Sequence, residues 1–126
     1  MDPLTTRHKV SRNVELGEVY FAISGFWKLE EMQAFLRELN EAAAPIVAQR
    51  TPIRVLGEME GFVPQDRQTG EVIRDHLMMS RKYGLQRVAI VSAPGLVKLQ
   101  YRRLSQGIAV EFFDGRNEAI AWLRRP

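Results

Sequence analysis

Hydrophobic and polar positions change period several times along this chain, and each change marks an element. The run Val88-Ala89-Ile90-Val91 is continuous, small and β-branched, which is the composition of a strand covered on both faces. It predicts a central strand. Ser92, Pro94 and Gly95 follow at once. They offer a hydroxyl acceptor for free helix amides and a proline whose φ is already helical. A helical period then runs from Pro94 to Gln106, with Leu96, Val97, Leu99, Tyr101 and Leu104 expected inward, and Gly107 stops it.

Upstream, residues 9–16 and 19–26 are rich in β-branched and aromatic residues around the short connection Leu16-Gly17-Glu18, a pattern of hairpin type. Val19, Phe21 and Ile23 alternate with Tyr20, Ala22 and Ser24, so one face of the second strand is strongly apolar. The first strand, with Ser11, Arg12 and Asn13, suits a sheet edge. From Lys28 to Ala44, Leu29, Met32, Leu36, Leu39 and Ala43 recur at spacings of three and four, predicting an amphipathic helix that Pro45 ends or bends. Residues 53–59 read as a short strand interrupted by Gly57, followed by a loop from Gly61 to Asp66. A second helix has Val72, Ile73, His76, Leu77, Ser80 and Tyr83 on its inner side and Gly84 as its C-cap glycine. A last strand at 108–113 and a short helix capped by Asp114, with Ala119, Ile120 and Leu123 at helical spacing, complete the chain.

The predicted order is therefore β-β-α-β-α-β-α-β-α. This is an α/β fold with a mixed, mostly parallel sheet, an N-terminal antiparallel hairpin and four helices joined by right-handed crossovers. Residues 1–8 are expected to form a flexible leader and 9–126 a single domain, a size that sustains a core without covalent staples.

Composition narrows the chemistry. Cysteine is absent, which removes thiol nucleophiles, thiolate metal sites and disulfides and suits a reducing cytoplasm. No stretch reads as a signal peptide or a membrane span. The formal charge of +3 is uneven. Residues 1–80 hold nine Lys and Arg against twelve Asp and Glu, whereas residues 81–126 hold nine against three. Lys98, Arg102 and Arg103 form a basic stripe, but no nucleic-acid motif accompanies it, so specific nucleic-acid binding is not expected.

Catalytic patterns are missing. His8 and His76 each lack a second histidine at metal-gripping spacing, the serines sit in no GxSxG elbow, and no glycine-rich phosphate loop occurs. No enzyme, metal or cofactor is expected. The candidate surface instead gathers where strands end. Glu58 and Glu60 would share a strand face near Asp66, at the carboxyl ends of the strands where α/β sheets collect ligands. Phe26, Trp27, Phe62 and Val63 lie in junctions, where they either form a binding patch or pack over the end of the core.

Ser24-Gly25-Phe26-Trp27 before the first long helix, Arg87 to Val91 as central strand, and the ending Val110-Glu111-Phe112-Phe113-Asp114 through Glu118-Ala119-Ile120-Ala121-Trp122-Leu123 together resemble the SpoIIAA-like proteins of the STAS superfamily. The resemblance implies a βα fold and a non-enzymatic task in binding a protein partner or a small apolar or anionic molecule. Relatives that antagonise anti-sigma factors carry a phosphorylatable serine in an Asp-Ser-Ser-Gly type motif. The matching stretch is Gln65-Asp66-Arg67-Gln68-Thr69-Gly70, where Arg67 or Gln68 takes the serine's place and Thr69 is the remaining hydroxyl. A constitutive module without the phosphate switch is expected, with Thr69 serving as a local cap.

Two readings follow. A protein-binding module, expected as a symmetric homodimer, would work through Phe26, Trp27, Glu58, Glu60, Phe62, Asp66 and Thr69. A carrier or sensor would hold a small apolar or anionic ligand in a cavity lined by the apolar residues around Phe26, Trp27 and Phe62. A closed core behind the junction aromatics favours the first, and an enclosed pocket of a few hundred cubic ångströms, on the order of an ordinary ligand site, favours the second.

Overall fold

The computed structural model describes residues 2–126. Its elements are β1 Arg7–Asn13, β2 Glu18–Ser24, α1 Leu29–Ala48, β3 Ile53–Glu58, α2 Arg67–Lys82, β4 Leu85–Val91, α3 Gly95–Leu104, β5 Ala109–Phe113 and α4 Arg116–Leu123. The five strands stand in sequence order, β1 antiparallel to β2 and every later pair parallel. The expected fold class, element order and opening hairpin are all present.

Strand order decides where the helices go. A right-handed crossover between neighbouring parallel strands places its helix on one face, and here all three crossovers step in the same direction. Consequently α1, α2 and α3 share one side of the sheet. On it Val19, Phe21 and Ile23 of β2 and Val88 and Ile90 of β4 meet Met32, Phe35, Ile46, Ile73, Leu77, Val97 and Tyr101. Only α4 returns to the other side, where Ala119 and Leu123 bury against Leu56, Ala89 and Val91. That arrangement covers Val88, Ala89, Ile90 and Val91 on both faces, each 5% exposed or less.

An ion pair with a buried carboxylate fixes α4. Glu18, at the start of β2, is buried, and the residue after α4, Arg124, donates to it through Nε at 2.9 Å and Nη2 at 3.0 Å, while Tyr20 Oη donates at 2.5 Å. Burial pushes the Glu18 carboxyl up, but these donors outweigh it and hold the group below the usual carboxylate range. Arg87 adds donations to the carbonyls of Trp122 at 3.0 Å and Arg125 at 2.8 Å, which satisfy acceptors left free at a helix end.

Several expected details differ. β1 starts at Arg7 and stops at Asn13, so Arg7 and His8 belong to the sheet; the expected leader begins at Met1, which lies outside the described residues. Asn13 Oδ1 accepts from Leu16 N at 3.1 Å and Gly17 N donates to Val14 O at 3.1 Å, which closes the turn earlier than expected. α1 runs through Pro45 to Ala48. The proline leaves Glu41 O without its helical donor, and Arg12 Nη1 approaches that oxygen at 3.4 Å. The buried stripe of α1 is Met32, Phe35, Ala42 and Ile46, one step round from the expected one. Gly57 does not interrupt β3. The ring of Phe21 lies where a Cβ at Gly57 would be, so the glycine lets β2's aromatic cross its neighbour.

On α3, Val97 and Tyr101 are buried, but Leu96 and Leu99, expected inward, are 68% and 66% exposed. Tyr83 is likewise on the surface. Ser92 and Asp114 are not the expected caps. Pro94 and Gly115 hold those positions without side-chain bonds, and Ser92 sits at φ +60°, a conformation that makes the turn out of β4.

Because Ala89 is wholly enclosed, Ala89→Asp should abolish folding. The unpaired carboxylate would cost several kcal/mol, comparable with the roughly 5 to 15 kcal/mol total stability of a domain. A soluble Ala89→Asp protein with a cooperative urea transition would refute the two-sided burial.

Candidate functional site

At the carboxyl ends of the parallel strands one buried side chain ties three segments together. Gln65 Oε1 accepts from Trp27 N at 2.9 Å, and its Nε2 donates to Val63 O at 2.6 Å and Gly25 O at 3.2 Å. Gln100 of α3 completes the knot, accepting from Gln65 N at 2.8 Å and donating to Gln65 O at 2.8 Å. The β2–α1 turn is thereby fastened to the β3–α2 loop and to α3. Gly25 bridges to Phe62 at φ +93°, and a Cβ there would meet Thr5 O, so the turn requires glycine.

The seven expected site residues separate along this knot. Trp27 is buried, its indole donating to Ser24 O at 2.9 Å and its ring 5.4 Å from that of Phe35. Phe62 and Thr69 are buried as well. Phe26, Glu60 and Asp66 are exposed, and Glu58 is engaged by Arg116 Nη1 at 2.7 Å. Glu58 and Glu60 do face one hollow together with Lys9, Ser24 and Ser92, but among the described residues no group of three or more acids or histidines is placed to hold a metal ion. The expected contact surface therefore loses Trp27 and Phe62 to the core and keeps Phe26. Sequence shows that large side chains stand at junctions, but whether they point in or out depends on Gln65, whose polar side chain gives no hint that it is buried.

Helix α2 corrects the expectation for Thr69. Asp66 is the cap, accepting from Thr69 N at 2.9 Å, and this bond holds its carboxyl below the usual range. The Thr69 hydroxyl is enclosed with the Asp66 carboxylate as its nearest acceptor, but not in hydrogen-bonding geometry. Thr69 is 0% exposed.

Beneath the seam between α1 and α2 the core leaves a cavity of about 90 Å³. Phe21, Phe35, Val55, Ile73, Leu77 and Val88 are among its walls, with Phe62 and Tyr101 at its borders. Asn40, His76 and Ser80 are the polar lining residues, and Asn40 is exposed while the other two are half-buried, which places the mouth on the seam. Asn40 Oδ1 and His76 Nε2 lie 2.8 Å apart. An amide oxygen only accepts, so Nε2 carries the proton and the pair latches the helices across the mouth. Burial pushes His76 below its ordinary pKa. A space this apolar is unusual in a close-packed interior. The sequence hides it, because every wall residue is also an ordinary core residue.

These features define a small mixed-sheet α/β domain with three helices on one face and an apolar cavity beneath two of them. The SpoIIAA-like family model matches residues 19–124, and the chain belongs to that family. Among solved structures, it is similar to an uncharacterised protein of the DUF3478 family with a SpoIIAA-like fold from Shewanella loihica PV-4, at 20% identity and a TM-score of 0.64 over 94% of this chain and 93% of the other. No curated protein matches it. No helix among the described residues is long and apolar enough to cross a membrane.

Thr69→Val, which keeps the shape and removes an unpaired buried hydroxyl, should stabilise the protein by about 1 kcal/mol in urea denaturation; a loss of stability would mean that the hydroxyl has a partner. For His76 the folded pKa is depressed from 6.5, so the unfolded chain binds the proton more tightly. Its contribution is complete above about pH 6.5 and is lost as pH falls through the lower folded value. Urea midpoints should drop below about pH 6.5, and His76→Gln should flatten that drop.

Proposed function

We propose that the protein is a non-enzymatic sensor of a small apolar molecule, held under the α1–α2 seam with its polar end at Asn40, His76 and Ser80. The observation that carries this is the cavity of about 90 Å³. By the scale of about 24 cal/mol per Å³, an unfilled space of that size forfeits about 2 kcal/mol, and a ligand recovers it. The volume falls short of the few hundred cubic ångströms expected of a carrier, and the space is lined by Phe62 but not by Phe26 or Trp27, so a bulky cargo is excluded. The space suits a short alkyl chain, or a single aromatic ring if α1 and α2 ease apart, since about 150 Å³ of apolar cavity admits benzene. A ligand that wedges the seam would break the Asn40–His76 hydrogen bond, which gives occupancy a mechanical readout on the surface of α1 and α2.

Titration with short-chain alcohols and benzene, followed by methyl NMR, tests the proposal. Shifts should concentrate on Ile73, Leu77, Val55 and Val88. Ala43→Leu, which projects two branches into the space from α1, should raise the melting temperature by about 3 to 5 °C and abolish the shifts. No ligand-dependent shift in the wild type, together with a destabilised Ala43→Leu, would show the space to be too small or too rigid to receive anything.

A further inference from the structure

We propose that the end of the domain where the helices finish binds single-stranded nucleic acid, taking its phosphates on free cations and one base on the ring of Tyr83. Asn13, Glu18, Arg54, Arg87 and Ala109 stand in one row across the five strands. Each helix runs back against the parallel strands, so the residues at and beyond that row are the hairpin turn, the strand openings and the helix ends. These residues, 13–18, 45–54, 79–87, 101–109 and 120–126, hold nine Lys and Arg against two Asp and Glu, which leaves nine against thirteen for the rest of the chain. Helix C-termini attract cations of their own accord, but four of them, at about half a negative unit each, offset only about two of that surplus of seven.

Part of the surplus is already engaged. Arg124 is held by Glu18, Arg87 by the carbonyls of Trp122 and Arg125, Arg54 by Gln86 and Arg102 by the ring of Phe112. Arg50, Arg81, Lys82, Arg103 and Arg125 are exposed and make no ion pair among the described residues. Between the ends of α1 and α2 lies a shallow hollow of about 530 Å³, lined by Arg50, Thr51, Lys82, Tyr83 and Gln86 among others and by no acid. Tyr83 is 59% exposed there. The two acids at this end do not compete for the hollow, because Glu18 is buried against Arg124 and Glu15 stands outside it in the hairpin turn.

Cations flanking an exposed ring in a concave site select the occupant. Guanidinium forks match phosphate oxygens, and any base lies flat on an aromatic face, the combination by which single strands are held without regard to sequence. An acidic protein would use the cations and leave the ring idle. A bilayer presents a flat surface to a ring that lies in a hollow, and a duplex keeps its bases stacked on one another. Phosphate and stacking contacts read no sequence, in keeping with the lack of any base-reading motif in the chain.

Fluorescence anisotropy with a labelled eight-residue thymidylate strand, the same strand without bases, a labelled octaglutamate and phosphatidylglycerol vesicles tests the proposal on the intact protein. The thymidylate strand should bind with a Kd of roughly 1 to 100 µM, more weakly as salt rises, and should shift the amide NMR signals of Arg50, Thr51, Tyr83 and Gln86. The strand without bases should bind about tenfold more weakly. Tyr83→Ser should remove that difference by weakening the thymidylate strand alone, whereas Arg50→Asn combined with Lys82→Gln should weaken both strands about tenfold. Lys9→Ser, at the opposite end, should change neither. Absence of binding, equal binding of the two strands by the wild type, or a Tyr83→Ser protein that keeps the difference would overturn the proposal. Tighter binding of octaglutamate or of the vesicles would assign this end to an acidic protein or an anionic membrane and overturn it equally.

Discussion

The constraint on which this molecule depends is the handedness of its crossovers. With strands laid down in sequence order, right-handed connections leave one face of the sheet to three helices and the other to whatever follows β5. A central strand as apolar as β4 cannot tolerate an open face, so α4 must return and must be held there. Eight residues of helix bury little surface, and the Arg124–Glu18 pair supplies the positional definition that packing alone would not. Only the carboxylate of the pair is enclosed, so losing Arg124 would strand a buried charge, whereas losing Glu18 would leave an arginine at the surface.

The same crowding on the helix-bearing face accounts for the cavity. α1 is centred over β1 and β2 and α2 over β4, and the gap between their axes has to be filled from the sheet. Phe21 does so by lying across Gly57, and the space that remains is the cavity. A side chain at position 57 would push that ring upward. Void and glycine are thus two results of one packing problem.

How much of this was legible in the sequence follows from what each signal measures. The four-residue run of β4, the alternation in β2 and the junction glycines report backbone environment, and the element order and hairpin came out of them correctly. Burial on a helix is a question of rotation by one or two positions, and there the reading failed. Leu96 and Leu99 look like core by composition, but α3 packs at the rim of the sheet, beside α2 and against Phe112, with only Val97 and Tyr101 turned in. The junction aromatics divided for a similar reason. Phe26 and Trp27 are adjacent and equally apolar, yet one points outward and the other into the core, where the Trp27 backbone N–H donates to the side chain of Gln65, 38 residues away. No local pattern encodes a partner that distant, and a cavity leaves no pattern at all, being the absence of an atom.

The Glu18–Arg124 pair sets an order on the birth of the molecule. Its two members stand 106 residues apart, so on a chain emerging from the ribosome the carboxylate of β2 waits for nearly the whole domain to be made before its counter-charge arrives. Until α4 is in place the sheet's second face is bare and the Glu18 carboxylate has no counter-charge, so the two ends of the domain are completed by one another.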